Sequence, residues 1–475
     1  MLRDSYTTWH CGTHELSLMR PRIMGVLNVT PDSFSDGGET FDPDAAIARG
    51  MAMLDEGADI VDVGGESTRP GATPVPAAEE LERVAPVVRA LCERGVIVSV
   101  DTRHAEVASA CLELGASIIN DVSGFTDPAM VDVVLESDCG LIIMHWSQKT
   151  GVGSRKSVQL YANHPARRMV PSARRFPLPD EAPLMREVMG FLGDQARMLM
   201  RAGVAHDRIC MDPGPGFDKD TDEDVILQRN TKKLLSMGYP VLTAVSRKRF
   251  VGAITGTKEP LDRDAATLGM CLSAISNGSR LLRVHDVASA FQAVSAYWCA
   301  SRADARQAFV SLGSNVGDRM GYLAQATRLI DKLPLTCVTA VSNAYETEPA
   351  YGIATPVANA VVEIHTELHP LVLLDKLLGV ENELGRIRDP KTAGHGPRTI
   401  DCDLCWVEGE EHHGKRLELP HPGLGERDYV LVPMEDLMPD PVRFLTHAGV
   451  EVFEVEDRVG HVLAELGPIA WEDEQ

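Results

Sequence analysis

From Arg22 to about residue 300, short apolar runs alternate with longer stretches in which apolar positions recur every three or four residues. The short runs predict strands at 23–29, 60–64, 96–100, 117–121, 141–145, 208–212, 241–245 and 281–284. The longer stretches predict helices at 45–56, 78–93, 105–114, 184–202, 223–237 and 263–277, each running into a Gly or a turn before the next strand. Eight β–α repeats in this length favour a closed (β/α)8 TIM barrel over an open sheet. Residues 147–183 break the rhythm: they are basic, Pro-containing and weakly patterned, and read as a peripheral insertion.

A different order follows. Strand 307–311, helix 320–332, strands 338–345 and 357–366, helix 369–384 and strand 399–407 spell βαββαβ, the order of a ferredoxin-like α+β domain. Residues 417–475 add loops, a helical piece expected at 458–466 and an acidic tail. The expected domains are an extension at 1–21, a barrel at 22–300 and a second α/β domain at 301–475.

Polar residues collect at the predicted strand ends: Asn28, Asp62, Asp101, Asn120, His145, Asp212, Ser246 and His285. Turns favour Asn and Asp on their own account, but a barrel gathers its strand ends on one face, so the whole set converges there. Asp101 and Asp212 accept paired N–H donors, Asn120 donates and accepts, and Lys248 donates to a carbonyl or ring nitrogen. That set suits a flat, amide-like heterocycle. Asn28, Arg69, Arg283 and His285 supply a donor-rich rim for a phosphate-like anion.

In the second domain, Asp401 and Asp403 fall on one face of a strand, about 7 Å apart along the chain. Paired carboxylates in that arrangement hold Mg²⁺ on nucleotide phosphates, and Arg386, Arg388, Arg398, Arg427 and His421 are donors around them. A solvated strand edge with surface ion pairs is the plainer reading. Cys402 and Cys405 are spaced as CxxC but lie in a strand without a second pair, so they read as core cysteines rather than zinc ligands.

The 475-residue chain carries a formal charge of -23 and 44% apolar residues. Its acidity weighs against a nucleic-acid partner without excluding anionic substrates bound by local Arg and Lys. Ten Cys in so long a chain are no disulfide framework, and Cys92, Cys111, Cys139 and Cys210 sit in apolar surroundings, which points to a reducing cytoplasm. The first 21 residues lack the apolar core of a signal peptide. No run approaches the roughly 20 apolar residues of a spanning helix, so no membrane association is expected.

The stretch Met24-Gly-Val-Leu-Asn-Val-Thr-Pro-Asp-Ser-Phe-Ser-Asp-Gly-Gly38 resembles the first signature of dihydropteroate synthases. Gly64-Gly-Glu-Ser-Thr-Arg-Pro-Gly71, Ser99-Val-Asp-Thr-Arg103, Ile118-Ile-Asn-Asp-Val-Ser-Gly124, Met211-Asp-Pro-Gly214, Ser246-Arg-Lys248 and Arg283-Val-His-Asp286 follow in the family's order. The resemblance covers residues 22–298. It implies condensation of 6-hydroxymethyl-7,8-dihydropterin diphosphate with p-aminobenzoate. Asp101, Asn120, Asp212 and Lys248 would hold the pterin, with Ser246 and Arg247 as further substrate contacts. Asn28, Arg283 and His285 would hold the diphosphate, Asn28 with Mg²⁺, and Ser67, Thr68 and Arg69 would complete the p-aminobenzoate site. A homodimer is also implied. A pterin-dependent methyltransferase barrel is the competing enzyme reading. Ser246-Arg-Lys248 with Arg283 and His285 favours a diphosphate leaving group instead.

From Arg306 to Pro439 the chain resembles 6-hydroxymethyl-7,8-dihydropterin pyrophosphokinases, through Ser311-Leu-Gly-Ser-Asn315, Glu346-Thr-Glu-Pro349, Asn359-Ala-Val361, Glu383-Leu-Gly-Arg386, Gly396-Pro-Arg-Thr-Ile-Asp-Cys-Asp403 and Pro420-His-Pro422 with Arg427. This implies diphosphate transfer from ATP to the pterin CH₂OH. Asp401 and Asp403 would bind Mg²⁺, Glu381, Arg386, Arg388, Arg398 and Arg427 ATP, His421 the phosphates and Asn359 the pterin edge. The family's aromatic residue before that Asn is absent in Ala354-Thr-Pro-Val-Ala-Asn359, so Tyr429 and Tyr351 are expected to wall the pterin. A non-catalytic scaffold is the alternative for this domain.

Overall fold

The computed structural model describes residues 7–30, 42–66, 74–146, 183–351, 353, 355–387 and 397–472. The expected insertion at 147–183 therefore lies almost wholly outside the described residues, as do Ser67, Thr68, Arg69 and Arg388. The chain divides into two compact units, residues 1–294 and 295–475.

The first unit opens with an antiparallel hairpin, β1 (Thr8–Cys11) and β2 (His14–Ser17). Eight parallel strands follow: β3 (Arg22–Asn28), β4 (Ile60–Gly64), β5 (Val98–Asp101), β6 (Ile118–Asp121), β7 (Gly140–Met144), β8 (Ile209–Asp212), β9 (Leu242–Thr243) and β10 (Leu281–Val284). They run β8-β7-β6-β5-β4-β3-β10-β9, and a parallel bridge between Met211 and Val241 joins the two ends, with Met211 N–H donating to the Pro240 carbonyl at 2.9 Å. The sheet is a barrel. Its strands are buried almost throughout, because parallel strands are covered on both faces.

Local chemistry sets the helix boundaries. Helix Pro43–Glu56 starts at Asp42, whose carboxylate accepts the Asp44 N–H, with Pro43 filling the first turn. It stops at Gly57, whose φ of 109° only glycine adopts easily and where a Cβ would meet the Phe291 ring at 2.2 Å. The helix expected at 223–237 is two, Thr221–Arg229 and Thr231–Leu235, interrupted at Asn230, whose side-chain amide turns back to the Ile226 carbonyl at 2.8 Å.

The N-terminal segment, expected to be a mere extension, belongs to the core. Trp9, Cys11, Leu16 and Leu18 are buried with Met24, Ile60, Ile118, Ile142, Cys210 and Leu281 from the barrel strands. Trp9 Nε1 donates to the Arg208 carbonyl at 2.9 Å. The hairpin thus plugs the N-terminal end of the barrel, opposite the strand ends that carry the polar residues.

The second unit is an antiparallel sheet. Strands β11 (Arg306–Ser314), β12 (Thr336–Val341), β13 (Ala344–Thr347), β14 (Val357–Thr366) and β15 (Asp401–Val407) alternate with helices Arg319–Asp331 and Pro370–Glu383. β15 pairs with β11, β11 with β14, and β14 with both β12 and β13, which is the ferredoxin-like order. The single strand expected at 338–345 is divided at Ser342, whose hydroxyl accepts the Val361 N–H at 2.9 Å. After the short pair β16 (His412–His413) and β17 (Glu418–Leu419), the chain forms helices Asp428–Glu435 and Pro441–His447. The helix expected at 458–466 is absent. Strand β18 (Val462–Gly467) pairs there with β13 instead. A lone helix of nine residues gains little in water, whereas the open edge of β13 offers ready backbone partners.

Candidate functional site

At the C-terminal end of the barrel the interior is charged. Arg283, on β10, is the hub: its Nε donates to Asp62 Oδ2 at 2.6 Å and its Nη2 to Asp101 Oδ2 at 2.7 Å. Asn120 Nδ2 lies 3.5 Å from Asp62 Oδ2. Asp62 Oδ1 and Asp101 Oδ1 are buried without a hydrogen-bond partner among the described residues. Buried polar atoms are paired in most native proteins, so these oxygens mark an incomplete network that a ligand with N–H donors would finish.

Burial, reinforced by Asp62, Asp121 and Asp212, pushes the Asp101 carboxyl up to about 7 despite the opposing Arg283. Burial likewise raises Asp212, against the pull of Lys248 and of the Gly214 N–H that it accepts at 2.7 Å. Lys248 is brought down to about 8 by burial, with Asp212 the chief opposing charge. Its ammonium bonds the Pro215 carbonyl and lies 4.7 Å from the centre of the Phe217 ring. Ser246 Oγ and His285 Nδ1 are 2.9 Å apart, and the hydroxyl also accepts the His285 N–H at 3.1 Å. Asn28 ends β3, in register with Gly64.

The sequence-expected residues Asp101, Asn120, Asp212, Lys248 and Arg283 therefore share one buried charge cluster, with Ser246 and His285 paired with each other. Arg247 does not join them: its φ is 58°, and its guanidinium takes both Asp264 oxygens at 2.7 Å. Asp62 is the cluster member whose role as carboxylate partner of Arg283 the sequence did not reveal. A charged residue in the middle of an apolar strand was the available signal. Lys219 was missed altogether. It is 3% exposed and donates to the carbonyls of Gly214, Phe217 and His145 at 2.8, 3.2 and 3.1 Å, holding the loop beyond Asp212. His145 is buried against Phe191, and burial, with Lys219 next, lowers it to about 3. It is a neutral ring here.

In the second unit a cavity of about 200 Å³ opens over the sheet. Its walls include Asn359, Asp401, Asp403, Arg398, Tyr351, Arg427 and Tyr429. Both Asp401 oxygens are taken, by Arg386 and by Arg398. Burial opposes its charge, but the two guanidiniums prevail and hold the carboxyl below its ordinary range. Asp403 is the reverse case. Burial and the neighbouring Asp401 push it up to about 7, with Arg427 Nη1 only at 3.9 Å. A bound cation would favour its charged form.

Glu381 is 1% exposed and lies beneath the cavity rather than in its wall: its Oε1 accepts Cys402 N–H at 2.9 Å and Arg386 Nη1 at 3.0 Å. It positions Arg386 and β15. Burial and Arg427 lower His421 to about 4; its Nδ1 accepts the Gly423 N–H at 3.1 Å, and its Nε2 lies 3.5 Å from Arg427 Nη1. Asn359 Nδ2 donates to Thr347 Oγ1 at 2.7 Å, fixing the amide in the cavity wall. The Arg427 guanidinium lies 5.5 Å from the Tyr351 ring centre and 5.6 Å from that of Tyr429. Cys402 and Cys405 are free and buried.

A TIM barrel whose strand ends present acidic and amide edges beside buried cations defines a heterocycle-binding barrel enzyme. Comparison with known proteins gives the class its name. Residues 24–285 match the family described as pterin binding enzyme, and residues 309–439 that described as 7,8-dihydro-6-hydroxymethylpterin-pyrophosphokinase. The chain is 41% identical over 272 residues to a dihydropteroate synthase of Staphylococcus haemolyticus, covering 57% of this chain and 91% of that protein. It is 39% identical over 285 residues to the dihydropteroate synthase of Mycobacterium leprae, covering 59% and 93%. A structure of Xanthomonas albilineans dihydropteroate synthase with 4-aminobenzoic acid superposes with a TM-score of 0.54 at 37% identity, covering 62% of this chain and 98% of that one. The same enzyme in complex with 7,8-dihydropteroate gives 0.52 at 35%, with the same coverage. The chain belongs to the pterin binding enzyme family, as a dihydropteroate synthase barrel joined to a pyrophosphokinase domain.

Proposed function

We infer that the chain is a bifunctional folate-biosynthesis enzyme. Its second domain moves diphosphate from ATP to 6-hydroxymethyl-7,8-dihydropterin, releasing AMP, and its barrel joins the resulting pterin diphosphate to p-aminobenzoate, releasing diphosphate. The observation that carries the reading is the Asp62–Arg283–Asp101 network, with its unpartnered carboxylate oxygens beside Asp212 and Lys248. A pterin edge offers the N–H donors those oxygens lack, and Lys248 offers the donor that its ring acceptors need.

In the barrel, Arg283 uses Nε and Nη2 on its carboxylates and turns its remaining nitrogen to the departing diphosphate, alongside His285 and Asn28. Separation of the diphosphate leaves positive charge on the pterin CH₂, spread into the electron-rich ring. The site stabilises that charge separation through fixed carboxylates on one side and fixed cations on the other. The neutral arylamine then attacks and loses a proton, so no strong base is required. Ser67, Thr68 and Arg69 are assigned to the p-aminobenzoate end.

In the second domain Asp403, whose Oδ2 has Arg427 Nη1 no nearer than 3.9 Å, and Asp401, whose oxygens are shared with Arg386 and Arg398, are the carboxylates that would hold Mg²⁺. The ion held by these two residues would supply charge neutralisation to the ATP phosphates. Arg386 and Arg398 orient Asp401, His421 stands with Arg427 on the phosphate side, and Asn359 with Tyr351 and Tyr429 borders the pterin. On the same reading Asn28 would hold a Mg²⁺ in the barrel, where the ion would help neutralise the leaving diphosphate.

Ten free cysteines accord with a cytoplasmic setting, and among the described residues no helix is long and apolar enough to cross a membrane. A homodimer is part of the proposal. The test supplies hydroxymethyl-dihydropterin, ATP, Mg²⁺ and p-aminobenzoate together; dihydropteroate must form. Asp401→Asn should abolish that overall reaction while leaving condensation from preformed pterin diphosphate intact. Loss of both, or of neither, refutes the division of labour.

A further inference from the structure

Beside the barrel cluster lies a second group of side chains that the mechanism does not use. Glu66 follows β4, Glu80 stands on helix Ala77–Cys92, and His104 caps helix Ala105–Glu113. One donor atom from each lies within 4.8 Å of the others. His104 Nε2 is 3.8 Å from Glu66 Oε2 and 3.8 Å from Glu80 Oε2, too far for hydrogen bonds. In tetrahedral geometry, ligands at about 2.0–2.2 Å from a zinc-type ion are roughly 3.3–3.6 Å apart, so side-chain shifts of up to about 1.5 Å close the triangle.

The independent observation is Glu80. It is 0% exposed; the Thr102 hydroxyl is its polar neighbour, and neither of its oxygens, nor His104 Nε2, makes a well-formed hydrogen bond among the described residues. A buried carboxylate pointing at an unpartnered imidazole nitrogen is costly unless something sits between them. The backbone is arranged to put it there: Gly65 packs so closely that a Cβ would lie 2.8 Å from Val84 and 3.0 Å from Glu80 Cγ. His104 remains partly exposed, which gives an ion a way in.

We propose that Glu66, Glu80 and His104 form a binding site for a borderline divalent metal ion of the zinc class, set just after strand β4. One imidazole and two carboxylates suit Zn²⁺ or Co²⁺ better than Mg²⁺, which takes oxygen ligands and water. Arg103 bonds both Glu66 oxygens at 2.9 and 3.0 Å, and Val75 N–H donates to Oε1 at 3.1 Å. The ion therefore ties Glu66, and through it Val75, to two helices. Its effect on catalysis rests on the synthase reading, through the p-aminobenzoate contacts assigned to Ser67, Thr68 and Arg69, which follow Glu66 in the chain. Metal binding itself does not.

The test takes the full chain after dialysis against EDTA and measures Co²⁺ uptake and visible absorption. The wild-type chain should bind one equivalent more than either Glu80→Gln or His104→Ala, or these variants should bind at least about tenfold more weakly. The extra equivalent should carry ligand-field bands without the intense near-ultraviolet band of a cobalt–thiolate bond. Equal uptake by the wild type and both variants overturns the proposal, as does a thiolate band. Should Glu80→Gln fail to fold, His104→Ala, at a partly exposed position, decides alone. If the site binds metal, its removal should raise KM for p-aminobenzoate more than it lowers kcat. Binding without that effect retains the site and refutes its link to the p-aminobenzoate contacts.

Discussion

Replacing Arg283 by Ala tests the charge cluster most directly. The guanidinium bridges two buried carboxylates at 2.6 and 2.7 Å, and Asp62 is 0% exposed. Each charge-assisted bond contributes about 1.5–3 kcal/mol, and stranding a buried partner costs about 3–5 kcal/mol. The barrel should lose about 3–5 kcal/mol rather than twice that, because Asp101, already pushed up to about 7, can neutralise itself by taking a proton. The pH dependence follows. A carboxyl raised above its unfolded value of about 3.9 binds more protons when folded, so its contribution to stability falls as pH rises from there through the folded value. Without Arg283 that value moves higher still, and the deficit relative to wild type should be larger at pH 8.5 than at pH 6. Hydrogen exchange at the β6 amides, Ile118–Asp121, reports barrel stability separately from the second domain. A deficit below about 1 kcal/mol, or one that does not widen with pH, would refute the idea that Arg283 neutralises this floor.

Lys248→Met should reduce condensation by about a hundredfold or more, the loss expected when a charged partner to a bound polar edge is removed. In the wild type the rate should decline as pH rises through about 8, where the ammonium loses its proton; a flat profile to pH 9.5 would dissociate that charge from the reaction. Tyr351 holds a φ of 51° and lines the second-domain cavity, placement expected of a ring held for stacking. Tyr351→Ala should raise KM for hydroxymethyl-dihydropterin about tenfold, from roughly 1–3 kcal/mol of stacking, and leave KM for ATP in place. Equal changes in both constants would count against stacking. Trp9→Ala should cost about 3–5 kcal/mol in barrel stability, measured by the same β6 exchange. Wild-type protection would show that the hairpin is dispensable.

The division between sequence and tertiary structure runs along a physical line. Periodicity determined the eight strands and the βαββαβ order, because alternating burial along a strand or helix is written into local residue spacing. The signatures at 24–38, 64–71 and 283–286 likewise carried the family and its chemistry. Pairing between distant segments carries no local mark. That Asp62 and Asp101 would share one arginine depended on strands 221 and 182 residues apart in sequence meeting at the barrel floor. Arg247 turning to Asp264 and Glu381 to Arg386 depended on the local path of the chain after a strand and at a helix end, which residue types alone do not specify. The same holds for the hairpin at Thr8–Ser17, whose pattern is too short to declare its burial, and for β18, where the free edge of β13 outweighed a weak helical preference. Residue types set what each side chain can bond, and only closure of the barrel and the sheet decided which partners remained within reach.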